Sequence, residues 1–116
     1  MAKTYNDPAK QRSREKLRDF IANHLLTLKK PNDIKVVCFP GAEREGEEAL
    51  EVKQVYDPLG IPRQNIVGLE YKPEHAERLR KANLGIDVKC QDAHDFFLET
   101  DKRFDVISLD YTGTPT

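Results

Sequence analysis

The sequence predicts an α/β fold built on a parallel sheet, and three observations carry that prediction. Four short runs rich in branched and aromatic residues, IKVVCF, NIVGLE, IDVKC and FDVISLD, are each bounded by turn residues, as strands are. The segments between them have helical rather than alternating periodicity. A strand that rejoins its sheet after a helical crossover must run parallel to the strand before it.

Taken in order, the first helix is predicted over Pro8 to Lys30, where Leu17, Phe20, Ile21, Leu25 and Leu28 keep an amphipathic spacing. Pro31-Asn32-Asp33 stops it. Ile34 to Phe39 is too apolar for a half-exposed strand and predicts one buried on both faces. A second helix is expected from about Arg44 to Tyr56, with Ala49, Val52, Val55 and Tyr56 on its inner face, until DPLGIPRQ breaks it. Asn65 to Glu70 is the second strand and ends in an acid. Pro73 then occupies a first helical turn, where proline is tolerated; Ala76, Leu79 and Ala82 form the buried stripe, and Asn83 to Gly85 closes the helix. Ile86 to Cys90 is the third strand, His94 to Glu99 a short helix, and Phe104 to Asp110 a fourth strand that again ends in an acid.

With 116 residues, 38% hydrophobic and 34% charged, the chain supports one small domain with a modest core. Its 19 Lys and Arg against 20 Asp and Glu leave a net charge of −1, which points to no polyanionic partner. The distribution is uneven. Residues 1–30 hold eight basic and three acidic side chains, a net of +5 that leaves −6 for the remainder. The chain therefore divides into a basic amphipathic helical segment over residues 1–33 and the sheet-forming residues 34–116. Lys10, Arg12, Arg14, Lys16 and Arg18 make the helix a candidate nucleic acid contact, although a solvated helix face explains most such runs. Cys38 and Cys90 show no CxxC or Cys/His spacing, so neither a disulfide framework nor a zinc site is suggested. No apolar run approaches the roughly 18 residues of a membrane span, and the first residues lack the apolar core of a signal peptide. A cytoplasmic setting without a membrane partner is the expectation.

In a parallel sheet, ligands bind beyond the carboxyl ends of the strands. Three of the four predicted ends carry an acid, Glu70, Asp92 and Asp110, and the first is followed by FPGAEREGEEAL. Helix capping competes as an explanation, because Glu47, Glu48 and Asp92 also suit helix N-termini. For the set at consecutive strand ends, a shared ligand site is the better expectation.

The succession VVCFPGAEREG, NIVGLEYKPEHAERLR, VKCQDAHDFF and FDVISLDY resembles motifs I to IV of the class I S-adenosylmethionine (SAM) dependent methyltransferases, over about residues 34–113. The resemblance implies a Rossmann-like three-layer α/β/α fold, cut short after the fourth strand, since members of the family continue with about three more strands. It also implies SAM as cofactor. Pro40, Gly41, Ala42 and Glu43 would wrap its methionine part, Glu70 with Tyr71 its ribose, and Asp92 with Ala93 its adenine. Asp110 and Tyr111 would line the acceptor side, Asp110 also touching the cofactor; as catalytic candidates, Asp110 would accept a hydrogen bond from an amino acceptor and Tyr111 would stack on a nucleic acid base. Phe39 and Glu43 occupy the two places where the family carries an acid and a further glycine.

Charge agrees with the cofactor. A pyrophosphate seeks the N–H groups of a helix start, which Glu43, Glu45, Glu47 and Glu48 would oppose; SAM has no phosphate and carries a cationic sulfonium and an ammonium. That disfavours a nicotinamide-dependent oxidoreductase, and no GxxxxGK[ST] sequence supports a P-loop. A non-catalytic binding or assembly module on the same fold is the main alternative to methyl transfer. An uncovered fourth strand would invite either a second copy, giving a homo-oligomer, or a further half of the sheet. His24, His75 and His94 sit at no metal-ligand spacing, and Cys38 reads as a small buried hydrophobe.

Overall fold

In the computed structural model, which describes residues 8–41 and 48–109, four strands pair in parallel around β1 (Val36–Cys38). The others are β2 (Ile66–Leu69), β3 (Asp87–Lys89) and β4 (Val106–Ser108), in the spatial order β3-β2-β1-β4. Val36, Val37 and Cys38 pair with Ile66, Val67 and Gly68 on one side and with Val106, Ile107 and Ser108 on the other. The chain steps outward from β1 to β3 and then crosses back to set β4 against the opposite side of β1. The reversal makes the β1–β4 junction the switch point of the sheet.

Because strand side chains alternate, each face has its own core. On one, Val36, Cys38, Ile66 and Val106 pack with Ile21 of α1 (Pro8–Asn23) and with Ala49, Val52, Val55 and Tyr56. On the other, Val37, Val67 and Leu69 pack with Ala93 and Phe96 of α3 (Ala93–Glu99). Between β2 and β3 runs α2 (Pro73–Lys81), which starts on its predicted proline and buries Ala76 and Leu79. All three residues of β1 are fully buried, as expected of a central strand flanked on both edges and covered on both faces.

The first helix is shorter than its periodicity suggests. It ends at Asn23, and His24 leaves helical geometry at φ −120°, ψ −60°. Its inner stripe is Arg14, Leu17 and Ile21, spaced i, i+3, i+7, so that Phe20 points outward against the His24 ring and Leu28, beyond the helix, is 82% exposed. Arg14 is buried and its Nη1 donates to Gln54 Oε1 at 3.1 Å. That removes it from the solvated basic face the sequence suggested. Cys90, expected to end the third strand, lies just beyond β3 and is exposed.

The second helix departs from the α period. Leu50 and Glu51 begin as α-helix, but Val52–Tyr56 is a π-helix, with the Asp57 N–H donating to the Val52 carbonyl five residues back. No helix among the described residues is long and apolar enough to cross a membrane.

Candidate functional site at the carboxyl ends of the strands

The loop that follows β1 is anchored at both ends. Pro40 is fully buried and sits on Gly68 of β2: a Cβ built on Gly68 would lie 2.9 Å from Pro40 Cγ. Only glycine lets the two strands' backbones and this ring approach so closely. Gly41 follows with φ +85°, a left-handed turn that glycine adopts at no steric cost, and its carbonyl accepts from the Ala49 N–H at 2.9 Å. Ala49 itself has φ +58° and is fully buried. A non-glycine residue in that region carries strain of order 1 kcal/mol, held in place here by the packing around it. Ala42 and Glu43 lie outside the described residues.

At the end of β2, the Glu70 carboxylate is partly buried. Its Oε1 accepts from the Lys72 N–H at 3.2 Å and stands 3.8 Å from His75 Nδ1, while Oε2 takes no hydrogen bond among the described residues. One oxygen thus ties down the entry to α2. The other is available to a ligand hydroxyl. Tyr71 is 65% exposed, with the Lys72 ammonium 5.9 Å from its ring centre.

Beyond β3, Asp92 is exposed and caps α3, its Oδ1 accepting from the Asp95 N–H at 2.8 Å. The capping explanation therefore accounts for one Asp92 oxygen. Ala93 is buried in the core under α3, so its side chain serves packing. Asp110 and Tyr111 lie outside the described residues. The strand order thus brings the anchors of three predicted contacts, Gly41, Glu70 and Asp92, to one edge of the sheet, on adjacent strands.

Sequence reasoning missed a polar cluster directly beneath the switch point. The Glu51 side chain, on a residue only 8% exposed, accepts from the Tyr56 hydroxyl through Oε2 at 2.6 Å and from Ser108 Oγ through Oε1 at 3.2 Å. Cys38, the β1 residue paired with Ser108, lies against the same carboxylate; burial, and after it the Glu51 charge, pushes its thiol well above the ordinary range. Burial and then Glu51 likewise raise the Tyr56 phenol far beyond its usual value. In an α-helix, residues five apart point about 140° away from each other, which would carry the Glu51 carboxylate away from the Tyr56 hydroxyl. The wider π turn brings both to the same side, and this is why α-periodicity gave no signal for Glu51.

Two surface depressions among the described residues lie elsewhere. One of about 560 Å³ is lined by Glu48, Glu74, Glu77, Arg78, Lys81 and Ala82, and one of about 180 Å³ opens between Val67, Lys89, Phe96 and Lys102. Neither includes a predicted contact residue, and the first is walled mostly by charged side chains, unlike the apolar pockets that hold small molecules. No group of three or more His, Cys, Asp or Glu among the described residues could hold a metal ion. Compared with protein-family models, curated proteins and solved structures, the chain matches none.

Proposed function

We propose that this chain carries the cofactor-binding strands of a Rossmann-like, three-layer α/β/α domain of the SAM-dependent methyltransferase type. The observation that carries the reading is the parallel order β3-β2-β1-β4, which aligns Gly41, Glu70 and Asp92 along adjacent strand ends in the sequence in which the resemblance needs them. The residues fit the cofactor's chemistry. Gly41 offers a left-handed turn for close backbone approach, and Glu70 Oε2 is an acceptor for a ribose hydroxyl. The acidic loop after β1 suits a cation better than a phosphate, which argues against a nicotinamide cofactor.

SAM, when bound, supplies an activated methyl group; the protein's task is to orient cofactor and acceptor. The proposed acceptor is a nucleic acid base, with Asp110 bonding its amino group and Tyr111 stacking on its ring. Lys10, Arg12, Lys16 and Arg18 remain as the basic residues of α1 that would meet a phosphate backbone, in a cytoplasmic protein. A second reading, a non-catalytic assembly module, is favoured by the edge strand β4, where Ile107 is 57% exposed and a second copy could pair.

Calorimetric titration of the chain with SAM tests the reading. Glu70→Ala is expected to weaken binding about tenfold to a hundredfold, the worth of hydrogen bonds to a charged acceptor, whereas exposed Glu74→Ala leaves it nearly unchanged. No heat and an unaltered melting temperature at high micromolar SAM would remove the cofactor and leave the assembly module.

A further inference from the structure

Resting on the nucleic acid reading above and deepening it, we infer that the outer face of α1 docks a single strand, with Phe20 and His24 as a platform for an unpaired base. Arg12, Lys16, Phe20 and His24 recur at every fourth residue, and all four are exposed. His24 lies just past the helix but is still tied to it, its N–H donating to the Phe20 carbonyl at 3.0 Å. Residues so spaced form one continuous ridge on a helix surface. At its far end the Phe20 and His24 rings meet at 4.6 Å between centres, tilted by 40°, and Phe20 keeps 62% of its surface open. Exposed rings offer a flat face on which a base of any identity can stack.

Charge and spacing favour a nucleic acid strand as the occupant. Arg12 and Lys16 form no ion pair among the described residues, whereas Arg18 stands 4.0 Å from Asp19 on the neighbouring row, which leaves Glu15 as the other carboxylate of α1. The two cations are about 6 Å apart along the axis, four residues of helical rise, near the separation of successive phosphates in an extended strand. A backbone can therefore run past Arg12 and Lys16 while its next base turns onto Phe20. A duplex cannot use the platform, because its bases are already stacked within it. An apolar protein partner would instead use Phe20 together with Leu28, which is 82% exposed beyond the end of α1.

Fluorescence anisotropy with a labelled oligothymidylate, and with the same strand annealed to oligoadenylate, tests the inference on the full chain. The single strand is expected to bind more tightly than the duplex. Phe20 is exposed, so its substitutions should leave the fold intact, which circular dichroism verifies. Phe20→Leu, which keeps apolar bulk but no ring, should weaken single-strand binding about fivefold to a hundredfold; Phe20→Tyr should retain it, and Leu28→Ala should leave it unchanged. Lys16→Gln should lower the slope of log affinity against log salt by about 0.7. Duplex binding equal to or tighter than single-strand binding, or a Phe20→Leu chain that binds as wild type, overturns the inference while leaving α1 as a backbone contact. Wild-type chain that binds neither probe overturns both. Self-association in sedimentation that Phe20→Leu abolishes gives the face to a second copy and likewise overturns the inference. Calorimetric titration with SAM keeps the two readings apart: Phe20→Leu should bind SAM as wild type does, and failure of wild type to bind SAM removes the cofactor without touching the strand-binding face.

Discussion

Gly68→Ala tests the anchor on which the candidate site depends. The added Cβ would lie 2.9 and 3.3 Å from Pro40 Cγ and Cδ and 3.1 Å from Ile86 Cδ1. Ile86 meets it with the far end of a flexible side chain and can swing aside. Pro40 cannot, because its ring is rigid, fully buried and joined directly to the left-handed turn at Gly41. Overpacking of this kind costs about 1–3 kcal/mol. Restricting the unfolded chain by replacing glycine returns roughly 0.4–1 kcal/mol. The central values, about 2 kcal/mol of cost and about 0.7 kcal/mol of return, leave a net loss of about 1.3 kcal/mol, which for a chain of this size lowers the melting temperature by roughly 4–8 °C. Thermal and urea unfolding followed by circular dichroism measure it, with an unchanged urea slope showing that only stability moved. Since Pro40 leads into the loop after β1, SAM binding should weaken in the same variant. A melting temperature equal to or above wild type would refute the close seating of Pro40 on β2, and with it the account of how the loop is anchored.

The buried and paired groups give three further outcomes. Tyr56→Phe removes the 2.6 Å donor to Glu51 and should cost about 1.5–3 kcal/mol in urea unfolding; a loss below 0.5 kcal/mol would contradict the bond. Because burial raises the phenol, its contribution is complete below the unfolded tyrosine value of about 10 and is lost as pH rises beyond it, so Tyr56 should stay silent in an ultraviolet titration of the folded protein. Burial alone would raise the Asp105 carboxyl, but hydrogen bonds from Lys29 Nζ at 2.7 Å and the Lys35 N–H at 2.9 Å, with the charges of both lysines, bring it below the usual range. Its stabilisation is therefore present above an unfolded value of about 3.9 and lost as pH falls through the lower folded value. Asp105→Asn should flatten the stability–pH curve in that acid window, and an unchanged curve would place the effect elsewhere.

The positions of all four strands were legible in the amino-acid order because buried parallel strands are short apolar runs between turn residues, a purely local signal. Pro73 and the Ala76–Leu79 stripe likewise marked α2 correctly. Strand lengths came out shorter than the apolar runs: Ile34 is buried but precedes β1, since burial extends past the residues that pair. Glu70 and Asp92 could be placed at strand ends, yet their hydrogen bonds to Lys72 and Asp95 could not, because an acid at that position serves a cap and a ligand equally well.

By itself the sequence determined the parallel α/β class, the order of its elements and the carboxyl edge on which any ligand site must lie, since these follow from periodicity and from the geometry of crossovers. Strand order was a tertiary decision: β4 returns to β1 rather than extending beyond β3, and that choice alone creates the switch point. So was Glu51. On an α-helix it would point about 140° away from Tyr56, but the π turn sets the two side chains together, with Ser108, 57 residues along the chain, as the carboxylate's second partner. Such a side chain becomes a functional candidate only when helix winding and strand pairing are known together, because neither leaves a periodic mark in the sequence.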